Sequence, residues 1–266
     1  MDAIVFKSVS KVFRHRRALF YWRGKERAEP TFALRDICLR VAAGSVAALL
    51  GPNGSGKTTL LRLISTMLLP DLGEVLVHCA DTRRDPQTVR TLVGFAVAGE
   101  RSFFPRLTAR ENLDFFAALD NVHPRVRPER IEILLARTGL LDASDSLVMH
   151  FSAGMYQKLA IARALMKRPA VILLDEPTRS LDPVATTDVW DLFRELCADG
   201  TTLVIASHNF EEVATVADSV VVLQRGEVKI HERTTGFKVQ DVRQLYFQTG
   251  RDSSTSDADC LLESCR

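Results

Sequence analysis

A chain of 266 residues has room for one large α/β domain or two small ones. Its 46% hydrophobic and 26% charged content is that of an ordinary globular protein, and a net charge of +2 is too small to argue for a nucleic-acid partner. No stretch approaches the roughly 18 consecutive apolar residues of a membrane span, and the N-terminal MDAIVFKSVSKVF lacks the apolar core of a signal peptide. The chain is therefore expected in the cytoplasm, with any membrane link made through a partner. Cys38, Cys79, Cys197, Cys260 and Cys265 form no C-x-x-C pair, so they read as reduced, small hydrophobes rather than metal ligands.

In chain order, Ile4 to Phe13 reads as a strand. The next stretch, RHRRALFYWRGKERAEP, is basic and aromatic without a period. It is either a contact with a partner or membrane surface, or a solvated insertion. A strand is expected around Ala33 to Val41. The run Ser45 to Leu50 is short, apolar and bounded by glycines, as a buried parallel strand would be. GPNGSGKTTLLRLISTML follows directly, a glycine-rich turn opening a helix. Strand-like runs recur at Glu74 to Val77, Val93 to Val97, Ala170 to Leu174, Thr202 to Ser207 and Ser219 to Leu223, with helical patterns between them. Parallel strands separated by helices predict a helix-flanked sheet. Thr108 to Met166 reads as wholly helical, an insertion in the α/β core. Beyond His231 the pattern weakens: VQDVRQLYF predicts one more helix, and RDSSTSDAD a disordered tail.

Gly51, Pro52, Asn53, Gly54, Ser55, Gly56, Lys57 and Thr58 match G-x-x-x-x-G-K-[ST], and Thr59 follows. Glycines let backbone N–H groups turn inward around a β-phosphate. The helix starting near Lys57 aims its partly positive end at the anion. Lys57 neutralises β/γ oxygens and Thr58 offers a hydroxyl to Mg²⁺. A strand before and a helix after are the context such a loop needs. ATP and Mg²⁺ are the expected ligands.

VILLDEP places Asp175 and Glu176 at the C-terminal end of an apolar strand, where open α/β sheets bind ligands. Asp175 can hold Mg²⁺ through water, and Glu176 can polarise an attacking water. The alternative is that the pair caps the turn at Pro177.

These two motifs do not choose among P-loop NTPases; the sequence between and after them does. FSAGMYQKLAIARALMKRP followed by VILLDEPTRSLDP resembles the signature segment, strand and D-loop of ABC ATPases in order and spacing. TTLVIASHNFEEVATVADSVVVLQRGEV resembles that family's switch-histidine segment. The resemblance runs from about residue 4 to 230. It implies an α/β, RecA-like P-loop core with a parallel sheet, a small N-terminal antiparallel β subdomain and an inserted helical subdomain at about 105–165. The ATPase domain would be 1–235 and the tail 236–266. It also implies that Ser152, Ala153 and Gly154 reach the γ-phosphate of ATP held by a second subunit, with Asp182 crossing the seam. His208 would touch the γ-phosphate and act with Glu176 in catalysis. Phe13 would stack on adenine, although a lone phenylalanine is also a common core residue. The partners implied are a second ATPase subunit and separate membrane-spanning permease subunits, at the cytoplasmic face of the membrane. The segments around YWRGKERAEP and RSFFPRLTARENL look most like the branch serving ABC-2-type exporters.

Two departures stand out. The signature reads FSAGM rather than LSGGQ, with Met155 in place of a polar residue and Gln157 two positions on. The family's glutamine after the strand at Val93 to Val97 is missing; Gly99 or Glu100 falls there, and Glu100 is the expected substitute on the metal side. Phe103, Phe104 and Pro105 either dock a permease helix or pack into the domain. Rival readings are a non-transport ABC ATPase, opposed by the lack of a coiled-coil insertion or second ATPase domain, and a P-loop kinase or GTPase, opposed by the signature and His208. A regulatory subunit with weak hydrolysis is opposed by Lys57, Asp175, Glu176 and His208.

Overall fold

A computed structural model describes residues 1–13, 30–97, 103–234 and 236–248. The expectations for the basic aromatic stretch, for Gly99 and Glu100, and for the polar tail lie outside the described residues.

The parallel sheet is built from the apolar runs. β3 (Val46–Leu50), β8 (Thr202–Ala206) and β7 (Val171–Asp175) are buried along almost their whole length. Strands covered on both faces must be continuously apolar, which is why VAALL, TLVIA and VILLD show no alternation. They run parallel with β9 (Ser219–Gln224) and β6 (Val93–Val97), in the order β9-β3-β8-β7-β6, and β10 (Glu227–Arg233) pairs antiparallel to β9 at the edge.

A second, antiparallel sheet has the order β2-β1-β4-β5, from β1 (Asp2–Phe13), β2 (Thr31–Ala42), β4 (Leu72–Val77) and β5 (Ala80–Asp81). The run at Glu74 to Val77 thus belongs here, paired antiparallel with β1, and not to the parallel sheet. A short apolar run does not disclose its direction; pairing with β1 decides it. Helix α1 (Lys57–Ile64) fills the space between the sheets, with Leu60, Leu61, Leu63 and Ile64 wholly buried in one cluster with Ile4, Leu39, Leu49 and Leu173. Burying each such side chain contributes about 1.5–3 kcal/mol.

The remaining helices include α2 (Pro86–Leu92), α3 (Ala109–Leu119), α4 (Arg127–Arg137), α5 (Ala153–Leu165), α6 (Pro183–Ala198) and α7 (Phe210–Val216). The block from Thr108 to Met166 is less uniformly helical than its apolar spacing predicts. Single 3-10 turns at Leu141–Ala143 and Val148–His150 interrupt it, and Thr108 bridges Leu147. Phe103 packs into the core edge-on to Phe116, whereas Phe104 stays 44% exposed against Phe115. A last helix over residues 239–248 seats Val242, fully buried, with Leu50, Val213 and Val220.

Two residues lock the loops that matter. Asn112, wholly buried, accepts from the Phe104 N–H (2.8 Å) and donates to the Phe104 and Thr108 carbonyls (3.1 and 2.9 Å). Gly226 donates its N–H to the Ser55 carbonyl (3.1 Å) and accepts from the Arg35 N–H (2.7 Å), joining the turn between β9 and β10 to the phosphate loop and to β2. Its φ is +80°, and a Cβ there would lie 2.7 Å from the Ala33 carbonyl. Asn112→Ala orphans buried backbone groups and is expected to cost roughly 2–3 kcal/mol in chemical denaturation. Denaturation midpoints at constant m-value check this.

Candidate active site

Strand order assembles the site. β8 lies between β3 and β7, so the segments leaving the C-terminal ends of these three strands emerge side by side. The ladder extends past the strands: Ser207 N–H donates to the Leu49 carbonyl (3.1 Å) and Glu176 N–H to the Ala206 carbonyl (2.8 Å). That fixes three groups around one cleft. They are the loop Gly51–Gly56 after β3, His208 after β8, and Asp175 and Glu176 at the end of β7. The cleft has a volume of about 670 Å³.

The loop positions Lys57 from below. Gly54 (φ +79°) has no atom within 4 Å of where a Cβ would stand, leaving its backbone open to the cleft. Gly56 (φ +110°) precedes α1 in a conformation that L-residues rarely adopt. Lys57 is only 7% exposed, and its ammonium donates to the Gly51 carbonyl (2.6 Å) and the Pro52 carbonyl (3.3 Å). Burial pulls its pKa down, opposed by the charges of Glu176 and Asp175. Thr58 donates its hydroxyl to Asp175 Oδ2 (2.9 Å), and Thr59 also lines the cleft.

His208 Nε2 stands 3.3 Å from Lys57 Nζ, 3.2 Å from Asn53 Oδ1 and 3.4 Å from Glu176 Oε1. Burial and then the Lys57 charge lower its pKa, which favours a neutral ring. Burial raises the Glu176 carboxyl, while Lys57 and the His208 backbone N–H pull it down. Glu176 itself has φ +52°, a left-handed conformation that residues with a side chain rarely adopt.

The donor set suits Mg²⁺. One hydroxyl and one carboxylate, both hard oxygens, meet beside a buried ammonium. Among the described residues no group of three or more His, Cys, Asp or Glu is placed so that it could hold a metal ion. Mg²⁺ keeps several waters and substrate phosphates as ligands, so it asks for such a sparse protein contribution.

The other expected residues stand apart. Ser152 caps α5 by accepting from the Met155 N–H (3.1 Å), and Asp182 caps α6 by accepting from the Ala185 N–H (2.9 Å). Ser152, Ala153 and Asp182 are exposed, and Gly154 abuts Leu181 and Ser180; none of the four lines the cleft. Phe13 is 38% exposed at the end of β1 beside Lys11, also off the cleft lining. Two lining residues went unnoticed in the sequence, Ala33 and Arg179. Arg179 follows the carboxylate pair by three positions, which was the available signal.

Fold and site together define a P-loop nucleotide-binding ATPase. Residues 34–179 match the model of the ABC transporter family. The chain is 38% identical to the ABC transporter ATP-binding protein NatA of Bacillus subtilis (strain 168) over 206 residues, covering 77% of this chain and 84% of NatA. It is 39% identical to the daunorubicin resistance ATP-binding protein DrrA3 of Streptomyces coeruleorubidus, covering 74% of this chain but 62% of that protein. The dimeric, post-hydrolysis ATP-binding cassette MJ0796 bound to ADP and Pi superposes with a TM-score of 0.74 at 28% identity, over 88% of this chain and 100% of that one. The chain belongs to the ABC transporter family, as an ATP-binding and ATP-hydrolysing subunit.

Glu176 gives a pH test. Its folded pKa is raised above the usual 4.5, so the folded state holds the proton more tightly and stability declines as pH rises above that value. Glu176→Gln removes this penalty. The variant should melt at a higher temperature than wild type at pH 7.5, and the gap should close as pH falls toward 4.5.

Proposed function

We propose that the chain hydrolyses Mg·ATP in a head-to-tail dimer and thereby drives an ABC-2-type exporter from the cytoplasmic face of the membrane. The observation that carries the reading is the convergence of Lys57, Thr58–Asp175, Glu176 and His208 on one cleft at three adjacent strand ends. Gly51 to Thr59 cradle the phosphates, with Lys57 exchanging loop carbonyls for β/γ oxygens. Thr58 and Asp175 would hold Mg²⁺, whose charge offsets that developing on the phosphoryl oxygens. Glu176, raised by burial, orients and deprotonates the attacking water. His208, kept neutral, meets the γ-phosphate. Glu100 would add a ligand from the segment after β6, the strand that pairs with Asp175 at Val97.

Ser152, Ala153 and Asp182 are exposed at helix starts, with Gly154 half-buried beside them, and all four lie away from their own cleft, which supports a role in a partner's site; the dimeric form of MJ0796 supports the same arrangement. A phosphate between the two subunits would favour closure, and its release would favour opening.

Among the described residues no helix is long and apolar enough to cross a membrane; the partner proposed is a separate permease subunit. A cleft of about 1080 Å³ between the β6 region and the helical block supports its docking. Met67, Leu119 and Val126 border it with 59%, 63% and 40% exposure. Large apolar side chains grouped at the exposed edge of a cleft suit a protein contact.

Wild type is expected to hydrolyse Mg·ATP, and Glu176→Gln to lose at least about a hundredfold in kcat while still binding nucleotide. With ATP, Glu176→Gln should sediment as a dimer and the Glu176→Gln, Ser152→Ala double variant as a monomer. Indifference of the wild type to Mg·ATP overturns the reading. Met67→Glu with Leu119→Arg should abolish copurification with the permease partner, leaving the ATPase rate of the isolated subunit within about twofold.

A further inference from the structure

The buried carboxylate of Glu212 has no part in the site described above. It is 1% exposed and lies in α7, four residues beyond His208. A carboxylate in such a place is costly unless donors surround it. Two do, and both reach the same oxygen: Thr178 donates its hydroxyl to Oε1 (2.9 Å) and Trp190 donates its indole N–H to it (3.3 Å), while Oε2 is buried without a hydrogen-bond partner. Both donors are themselves buried, 8% and 9% exposed. The partners are neutral, so this is a hydrogen-bonded hub and not an ion pair.

What the hub joins is specific. Thr178 is two residues past Glu176. Glu212 itself lies on α7, whose N-cap Asn209 directly follows His208. Trp190 is on α6, the helix that Asp182 opens. One side chain therefore ties together the carriers of the catalytic carboxylate, of the switch-position histidine and of the seam aspartate. Glu176 sits in a left-handed conformation that needs outside support. Its N–H is anchored on Ala206 at one end of the turn, and the Thr178–Glu212 bond anchors the other. Burial pushes the Glu212 carboxyl pKa up, the neighbouring hydroxyl and indole donors pull it down, and the Glu176 charge raises it again, placing the two carboxylates within electrostatic reach.

We infer that Glu212 is a positioning residue for ATP hydrolysis, holding the Glu176–Thr178 turn and the Ser207–His208 segment in register with one another. This rests on the reading of Glu176 and His208 as catalytic groups. Glu212 touches no nucleotide; it acts through the backbone that presents them.

The test separates positioning from folding. Glu212→Gln keeps an oxygen where Oε1 stands, so both bonds to it survive. Glu212→Ala loses both. Steady-state ATPase, nucleotide binding and thermal melts are measured on the full chain. Glu212→Ala is expected to lower kcat about tenfold or more, as small misplacements of catalytic groups do, with KM and nucleotide Kd changed less than about threefold. Glu212→Gln is expected to recover most of the rate. Thr178→Val, which cuts only the strut to the Glu176 turn, should lower kcat in the same sense and decides the matter if Glu212→Ala does not fold. Wild-type kcat in a folded Glu212→Ala or in Thr178→Val overturns the inference. So does a Glu212→Gln as slow as Glu212→Ala, because charge and not register would then be at issue. If Glu176→Gln hydrolyses like wild type, the underlying reading of the site fails first and takes this one with it.

Discussion

Lys57 is a cation with almost no water around it, and a buried ammonium must be satisfied from within. The carbonyls of Gly51 and Pro52 do this at 2.6 and 3.3 Å, which bends the loop into a ring around the ammonium. His208, Glu176 and Asp175 then gather at the ring's edge because their strands are β3's neighbour and next neighbour. The site is thus one electrostatic arrangement: a desolvated positive charge, two carboxylates that offset it, and a neutral imidazole between them. Each pKa displacement follows from the same scarcity of water, with Lys57 lowered and Glu176 raised.

Much of this was legible in the residues. VAALL, TLVIA and VILLD announce doubly covered parallel strands because no polar residue interrupts them. The phosphate loop is legible because glycines at fixed offsets followed by Lys and Thr serve few other purposes. The structure puts Ser152 and Asp182 each at a helix N-cap, a place their residue types suit.

The less legible parts have physical reasons. EVKIHER forms β10, yet an edge strand with one covered face carries too many charges to read as sheet. The two-residue β5 is too short for any period. The helical block reads as continuous because its apolar spacing survives across 3-10 turns, whose breaks are made by tertiary contacts such as Thr108 with Leu147. Glu212 looks like one of two acidic residues suiting the first turn of a helix. Only the fold shows that Glu211 faces water while Glu212 is enclosed by α6 and the Thr178 turn. Whether Phe103 and Phe104 are core or surface could not be told from their type; the two neighbours divide, one inside and one out.

Gly226 has a mechanical consequence. Its backbone is bonded at once to the phosphate loop at Ser55 and to β2 at Arg35, so the β9–β10 corner rivets the antiparallel sheet to the ring around Lys57. The seam between the two sheets therefore cannot serve as a hinge without unravelling that ring. Whatever deformation accompanies a working stroke must be taken up elsewhere than at that seam. The two sheets travel as one chassis, and nucleotide loading should stiffen both together.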